Sequence, residues 1–170
     1  KVTEHPAFWQ TNFLKGYQKN MKAFVEPGRA IPVLIVDDDQ DDFELIEDSL
    51  KICGKDISIQ WLSDGELVLD YLFQREPFAD SSKYPFPSLL FMDIRIPKVN
   101  GIEVLKLIKN DSKLKKLPTI ILSTSDLSND VTTAYENGAN LYLKKPRGLL
   151  ELKYFYKAID TLGLPIVLFP

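Results

Sequence analysis

From Ile31 onward, short runs of branched apolar residues alternate with longer amphipathic stretches. Strands buried on both faces, joined by helices that cover them, produce this pattern, so it predicts βαβ units in a mostly parallel sheet. Ile31–Val36 reads as the first strand. Phe43, Ile46 and Leu50 then recur at helical spacing with Glu44, Glu47 and Asp48 between them, an amphipathic helix that closes at Gly54. Ile57–Leu62 is the second strand, and Ser63-Asp64-Gly65 turns the chain into a helix carrying Leu67, Leu69, Tyr71 and Leu72. A proline-rich connection, REPFADSSKYPFP, leads to a third strand at Leu89–Met92. Gly101–Asn110 is the third helix and Thr119–Leu122 the fourth strand. The next helix carries Val131, Ala134 and Tyr135 on one side and closes at Asn137-Gly138. Leu141–Leu143 is a short fifth strand, and Gly148–Leu162 is the last helix.

The two flanks differ from this body. Residues 1–30 mix aromatics and lysines without clean periodicity and end in the turn signal Glu26-Pro27-Gly28, an N-terminal arm or extension. Residues 163–170, GLPIVLFP, form an apolar C-terminal tail. The expectation for Phe8, Trp9 and Phe13 and for Pro165–Pro170 is packing or homodimer contact rather than a ligand box.

Composition narrows the chemistry. With 170 residues, 45% apolar and 26% charged, the chain suits one soluble domain. A net charge of -3 argues against a general nucleic-acid or anionic-membrane surface. The single cysteine, Cys53, excludes an internal disulfide framework and reads as a buried thiol in a reducing compartment. The one histidine, His5, lies in the arm, which removes histidine triads and zinc clusters from the body. No apolar run reaches the roughly 18 residues needed to span a bilayer, and the N-terminus has no signal-peptide pattern, so a cytoplasmic protein is expected. Carboxylates, hydroxyls and lysine are left to do any chemistry.

In a parallel sheet the residues just past the strands' carboxyl ends share one edge, where ligands usually bind. That edge gathers Asp37 and Asp38, Asp93, Ser123 and Thr124, and Lys145. The first strand runs into IVDDDQDD, which puts five aspartates into six positions at the edge of a core. Carboxylates there lose hydration unless a cation answers them. Magnesium takes oxygen ligands and keeps several waters, so two or three carboxylates plus a backbone carbonyl suit it. With a metal and Lys145 neutralising a phosphoryl group, and a hydroxyl donating one more hydrogen bond, the central Asp93 can serve as nucleophile toward phosphorus. Asp39, Asp41 and Asp42 read instead as the first turn of a helix, where acidic side chains complement the macrodipole and free amides. A lysine run at Lys106, Lys109, Lys113, Lys115 and Lys116 reads as a solvated face.

Four features in order resemble the receiver domain of bacterial two-component response regulators, the CheY-like fold. They are Asp37-Asp38, the run MDIRIPKVNG with Asp93, Pro97 and Gly101, the LST at Leu122–Thr124, and GANLYLKKP ending in Lys145-Pro146. The resemblance spans residues 31–162. It implies an α/β fold, a doubly wound five-stranded parallel sheet of flavodoxin-like topology with strand order 2-1-3-4-5. It implies that Asp93 is the phosphoacceptor, with Mg2+ held by Asp37, Asp38, Asp93 and the Arg95 carbonyl. Ser123 would turn toward the phosphoryl group, Thr124 being its nearest competitor, Lys145 would contact that group, and Tyr142 would be the switch aromatic. The implied partners are a sensor histidine kinase and a downstream protein, with no nucleic acid and no membrane. The long loop before the third strand and the LSTSDLSND stretch are most similar to stand-alone receivers paired with phytochrome-type or hybrid sensor kinases. Because the chain ends just after the fifth helix, no output domain is expected, and the protein is not expected to be an enzyme beyond catalysing its own phosphoryl transfer and dephosphorylation.

Two positions depart from the family pattern. Arg95 stands where asparagine or another polar residue is common, and Ser125 is too short to position an attacking water, so a changed dephosphorylation rate is expected. The alternatives are weaker. A phosphatase with an aspartyl-phosphate intermediate needs a second aspartate two residues after the nucleophile, where Arg95 stands. A calcium loop starting at Asp37 needs glycine at its sixth position and glutamate at its twelfth, where Asp42 and Asp48 stand. A degenerate receiver acting as a phosphorylation-independent interaction module is the nearer rival.

Overall fold

Five parallel strands pair in the order β2-β1-β3-β4-β5, with β1 at Ile31–Val36, β2 at Ile57–Leu62, β3 at Leu89–Asp93, β4 at Thr119–Ser123 and β5 at Leu141–Lys144. The computed structural model describes residues 30–52, 56–125 and 127–146, with 151 and 157. Residues 1–29 of the expected arm, most of the expected last helix, the apolar tail, His5 and Cys53 lie outside the described residues. Four helices connect the strands: α1 (Gln40–Ile52), α2 (Gly65–Leu72), α3 (Gly101–Asn110) and α4 (Ser128–Glu136). The expected α/β class and strand order are those observed.

Successive side chains of a strand point to opposite faces, so each buried strand feeds two cores. On one face Leu34, Val36, Leu90, Met92 and Ile121 meet α2 and α3 through Val68, Leu72, Val104, Leu105 and Ile108, with Ala134 of α4 at the margin. On the other, Val33, Ile35, Leu89, Phe91, Ile120 and Leu122 meet Ile46 and Leu50 of α1. The aligned pairs Val33↔Leu89 and Ile35↔Phe91 keep these sets in register. In α4, Ala134 is buried and Val131 half-buried, while Tyr135 is exposed rather than packed on the same side.

Local chemistry sets the helix starts. The Asp39 carboxylate accepts from the amides of Asp41 (2.8 Å) and Asp42 (3.4 Å), the Asp64 carboxylate from Leu67, and the Asn100 side chain from Ile102. The proline-rich connection packs on the first core through an aromatic cluster of Tyr71, Phe78 and Tyr84, and the Tyr71 hydroxyl donates to the Pro85 carbonyl. Lys109 departs from the expected solvated lysine face. Half-buried, it donates to the Leu117 carbonyl (2.6 Å) and the Asn140 side chain (3.2 Å).

Candidate functional site

The strand register alone lines up the polar residues. Val36 pairs with Met92, Asp93 with Leu122, and Ser123 with Lys144. Asp37 therefore follows β1 beside Asp93, and Lys145 follows β5 beside Ser123, all at the carboxyl edge of the sheet. The Lys145 amide donates to the Ser123 carbonyl at 2.8 Å, which holds the residue after β5 against β4.

Lys145 is the centre of this edge. Only 3% exposed, its ammonium lies 2.6 Å from Asp37 Oδ2, 2.7 Å from Asp42 Oδ2 and 2.8 Å from Asp93 Oδ2. Burial alone would lower its pKa, but the three carboxylates outweigh that and hold the ammonium above the usual lysine range. Asp37 is fully buried. Its Oδ1 accepts from the Asp39 amide at 3.1 Å, whereas Oδ2, though close to Nζ, meets it off the direction of a formed hydrogen bond. Desolvation exceeds the help from Lys145 and Asp39, and Asp93 adds repulsion, so the Asp37 carboxyl is pushed up to about 6.

Asp38 is exposed, and one oxygen each of Asp37, Asp38 and Asp93 lie within 4.8 Å of one another. Three hard oxygens on two adjacent strand ends, together with a buried Asp37 carboxylate that keeps one oxygen without a directed hydrogen bond, fit a divalent cation of the magnesium kind. Asp93 Oδ1 accepts from the Arg95 amide at 3.3 Å, while the Arg95 side chain points to solvent. Gly101 closes the loop that follows: its amide donates to the Ile94 carbonyl, and a Cβ there would stand far inside contact distance of the Asp93 carbonyl oxygen.

The two hydroxyls after β4 separate. Ser123 is buried at 1% and Thr124 is exposed, so Ser123 is the one turned inward at the site. Ser123 Oγ accepts from the Ser125 amide at 3.1 Å. Tyr142 is half-buried, its hydroxyl donates to the Ser125 carbonyl at 2.9 Å, and burial pushes that hydroxyl's pKa up. Ser125 is thus a turn residue, its own hydroxyl accepting from the Leu127 amide.

Two participants are absent from the sequence-based set. Asp42, assigned to the helix start alone, does sit in the first turn of α1, yet its carboxylate turns into the site and pairs with Lys145. The pairing depends on the placement of β5 beside β4, which brings in a partner 103 residues away in sequence that no local pattern carries. Trp61, on β2, donates its indole N–H to the Asp37 carbonyl at 2.8 Å and stacks on Phe43. The only local hint was a tryptophan one residue before the end of a strand.

The family model for the response regulator receiver domain matches residues 33–156. The chain belongs to the response regulator receiver family. The match takes in every residue of the edge just described. This receiver is 34% identical over 138 residues to the response regulator Rcp1 of Synechocystis sp., covering 81% of this chain and 92% of Rcp1. The Mn2+-bound form of Rcp1 superposes with a TM-score of 0.74 at 33% identity, over 82% of this chain and 99% of that one. The phosphorylated cyanobacterial phytochrome response regulator RcpA gives a TM-score of 0.73 at 30% identity, over 80% and 95%. As a receiver the chain is a two-component signalling protein whose counterpart is a histidine kinase or another phosphodonor.

Proposed function

We propose that this receiver accepts a phosphoryl group on Asp93 from a sensor histidine kinase and thereby switches a face that binds a downstream protein. The observation that carries the reading is the buried Lys145 ammonium, 2.8 Å from Asp93 Oδ2, beside three carboxylates suited to a dication. An Asp93 carboxylate oxygen attacks phosphorus, an O–P bond forms, and the P–N bond of the donor phosphohistidine breaks with its electron pair returning to the imidazole, which takes up a proton. Asp37, Asp38, Asp93 and the Arg95 carbonyl are the proposed magnesium ligands. The metal, when bound, would neutralise charge on the transferring phosphoryl oxygens.

Lys145 supplies a fixed positive charge to the same oxygens from the β5 side, already desolvated and therefore strong. Ser123, buried at the end of β4, has its hydroxyl beside the acceptor edge and is the donor proposed to follow the phosphoryl group. Tyr142 is tied to the next residues of that loop through the Ser125 carbonyl, so movement at Ser123 reaches its ring. The receiver unit is taken as residues 31–162, with the arm and tail as flanking contacts that can serve a homodimer. A kinase that phosphorylates itself from ATP works in the cytoplasm, and this receiver is assigned there with it. Among the described residues, no helix is long and apolar enough to cross a membrane.

Incubation with magnesium and a small phosphodonor such as acetyl phosphate tests the proposal. Base-labile phosphate should appear on wild type and be lost in Asp93→Asn. Wild type that takes no label would overturn the reading in favour of a phosphorylation-independent interaction module.

A further inference from the structure

We infer that Asp42 is a positioning residue for Lys145, the carboxylate on which the ammonium rests when a metal claims its other partners. The inference rests on the phosphoacceptor reading above. Lysine has three N–H donors, and here three carboxylates surround them, Asp37, Asp42 and Asp93. Two of these belong to the acidic triad suited to the dication, and Asp42 does not. A dication and an ammonium repel, and both seek Asp37 and Asp93 oxygens, so metal entry requires Lys145 to loosen its hold on those two. An ammonium only 3% exposed has little water to replace lost partners.

Asp42 resolves the conflict. Its carboxylate lies 2.7 Å from Nζ, is partly open to water, and stands on the first turn of α1. Asp39 anchors that turn by accepting from the amides of Asp41 and Asp42, so the carboxylate is offered from a fixed point. With Asp42 in place, Lys145 cedes Asp37 without leaving the pocket and without becoming a buried unpaired charge. Without it, the ammonium has, among the described residues, only the prospective metal ligands as partners and competes fully for them.

The test is a double-mutant cycle read by magnesium binding. Magnesium alone is titrated calorimetrically into wild type, Asp42→Asn, Lys145→Met and the double variant, with Lys145→Gln as a second background and thermal melting confirming a cooperative fold. Asp42→Asn should weaken magnesium binding about three- to ten-fold when Lys145 is present and less than about two-fold when it is absent. A purely structural role, or a general effect of one lost negative charge, would weaken binding equally in both backgrounds, and that result overturns the inference. Equal affinity of wild type and Asp42→Asn overturns it as well. If wild type itself fails to bind magnesium, the phosphoacceptor reading falls first and this inference with it.

Discussion

The indole nitrogen of Trp61 donates a 2.8 Å hydrogen bond to the backbone carbonyl of Asp37, while its ring lies flat on Phe43 with centroids 4.7 Å apart. One side chain on β2 thus grips both sides of the β1–α1 turn, the carbonyl that opens it and the helix that closes it. Trp61→Phe keeps an aromatic on Phe43 but leaves the carbonyl without this donor, and should cost about 1 kcal/mol. Trp61→Ala also removes the stacking and should cost about 3 kcal/mol. Urea unfolding of the metal-free variants measures both, and a Trp61→Phe as stable as wild type would show that the bond does not support the turn.

The Asp37 carboxyl gives a pH dependence of definite sign. Burial lifts it from 3.8 to about 6, so between those values the folded chain holds a proton that the unfolded chain has released. Its stabilising contribution is complete below the lower value and is lost as pH rises through the upper one. Metal-free wild type should therefore lose stability relative to Asp37→Asn between about pH 4 and pH 6, on the order of 3 kcal/mol in all, and track it above about pH 7. On the proposed ligand set, added magnesium should favour the ionised form and offset the loss. Denaturation in chelator across this range checks the difference curve; parallel curves for the two proteins would sink the prediction.

How far the site was legible depends on which contacts are local in sequence. Asp37, Asp93, Ser123 and Lys145 follow from strand ends, because a parallel sheet delivers every strand's carboxyl end to one edge whatever the loops do. Asp39 follows from capping chemistry. The rotation of α1 about its axis decides where Asp42 points, and only the packed position of β5 makes that direction meaningful. Lys109 shows the same limit. In a lysine-rich stretch it looks like its neighbours, and only the packed positions of Leu117 and Asn140 make it a half-buried donor.

Asn140, inside the GANLYLKKP run, explains part of that motif's structural content. Its side-chain oxygen accepts from the Thr119 amide at 2.9 Å and from Lys109 Nζ at 3.2 Å, joining the start of β4, the end of α3 and the entry to β5. Asn140→Ala leaves a strand amide and an ammonium each short of an acceptor, and should destabilise by about 2 kcal/mol. Chemical denaturation provides the number. Phosphorylation of the folded fraction should be retained, because this junction lies at the opposite end of the strands from Asp93, and a variant that folds fully yet takes no label would contradict that separation.

Gly101 tests the coupling between loop closure and the proposed acceptor, Asp93. A methyl group there would press on the Asp93 carbonyl oxygen and on backbone atoms of Asp93 and Ile94, none of which can rotate away as a side chain can. The loop must shift, and the Gly101 amide bond to the Ile94 carbonyl shifts with it. Gly101→Ala should cost about 2–3 kcal/mol, at the upper end of overpacking effects, despite the better helix propensity of alanine. The displaced backbone is that of Asp93 itself, so labelling by a small phosphodonor should also fall in the folded protein, at temperatures where circular dichroism shows no unfolding. A variant that loses stability but labels at the wild-type rate would mean that the loop yields on its Ile94 side and leaves the acceptor where it was.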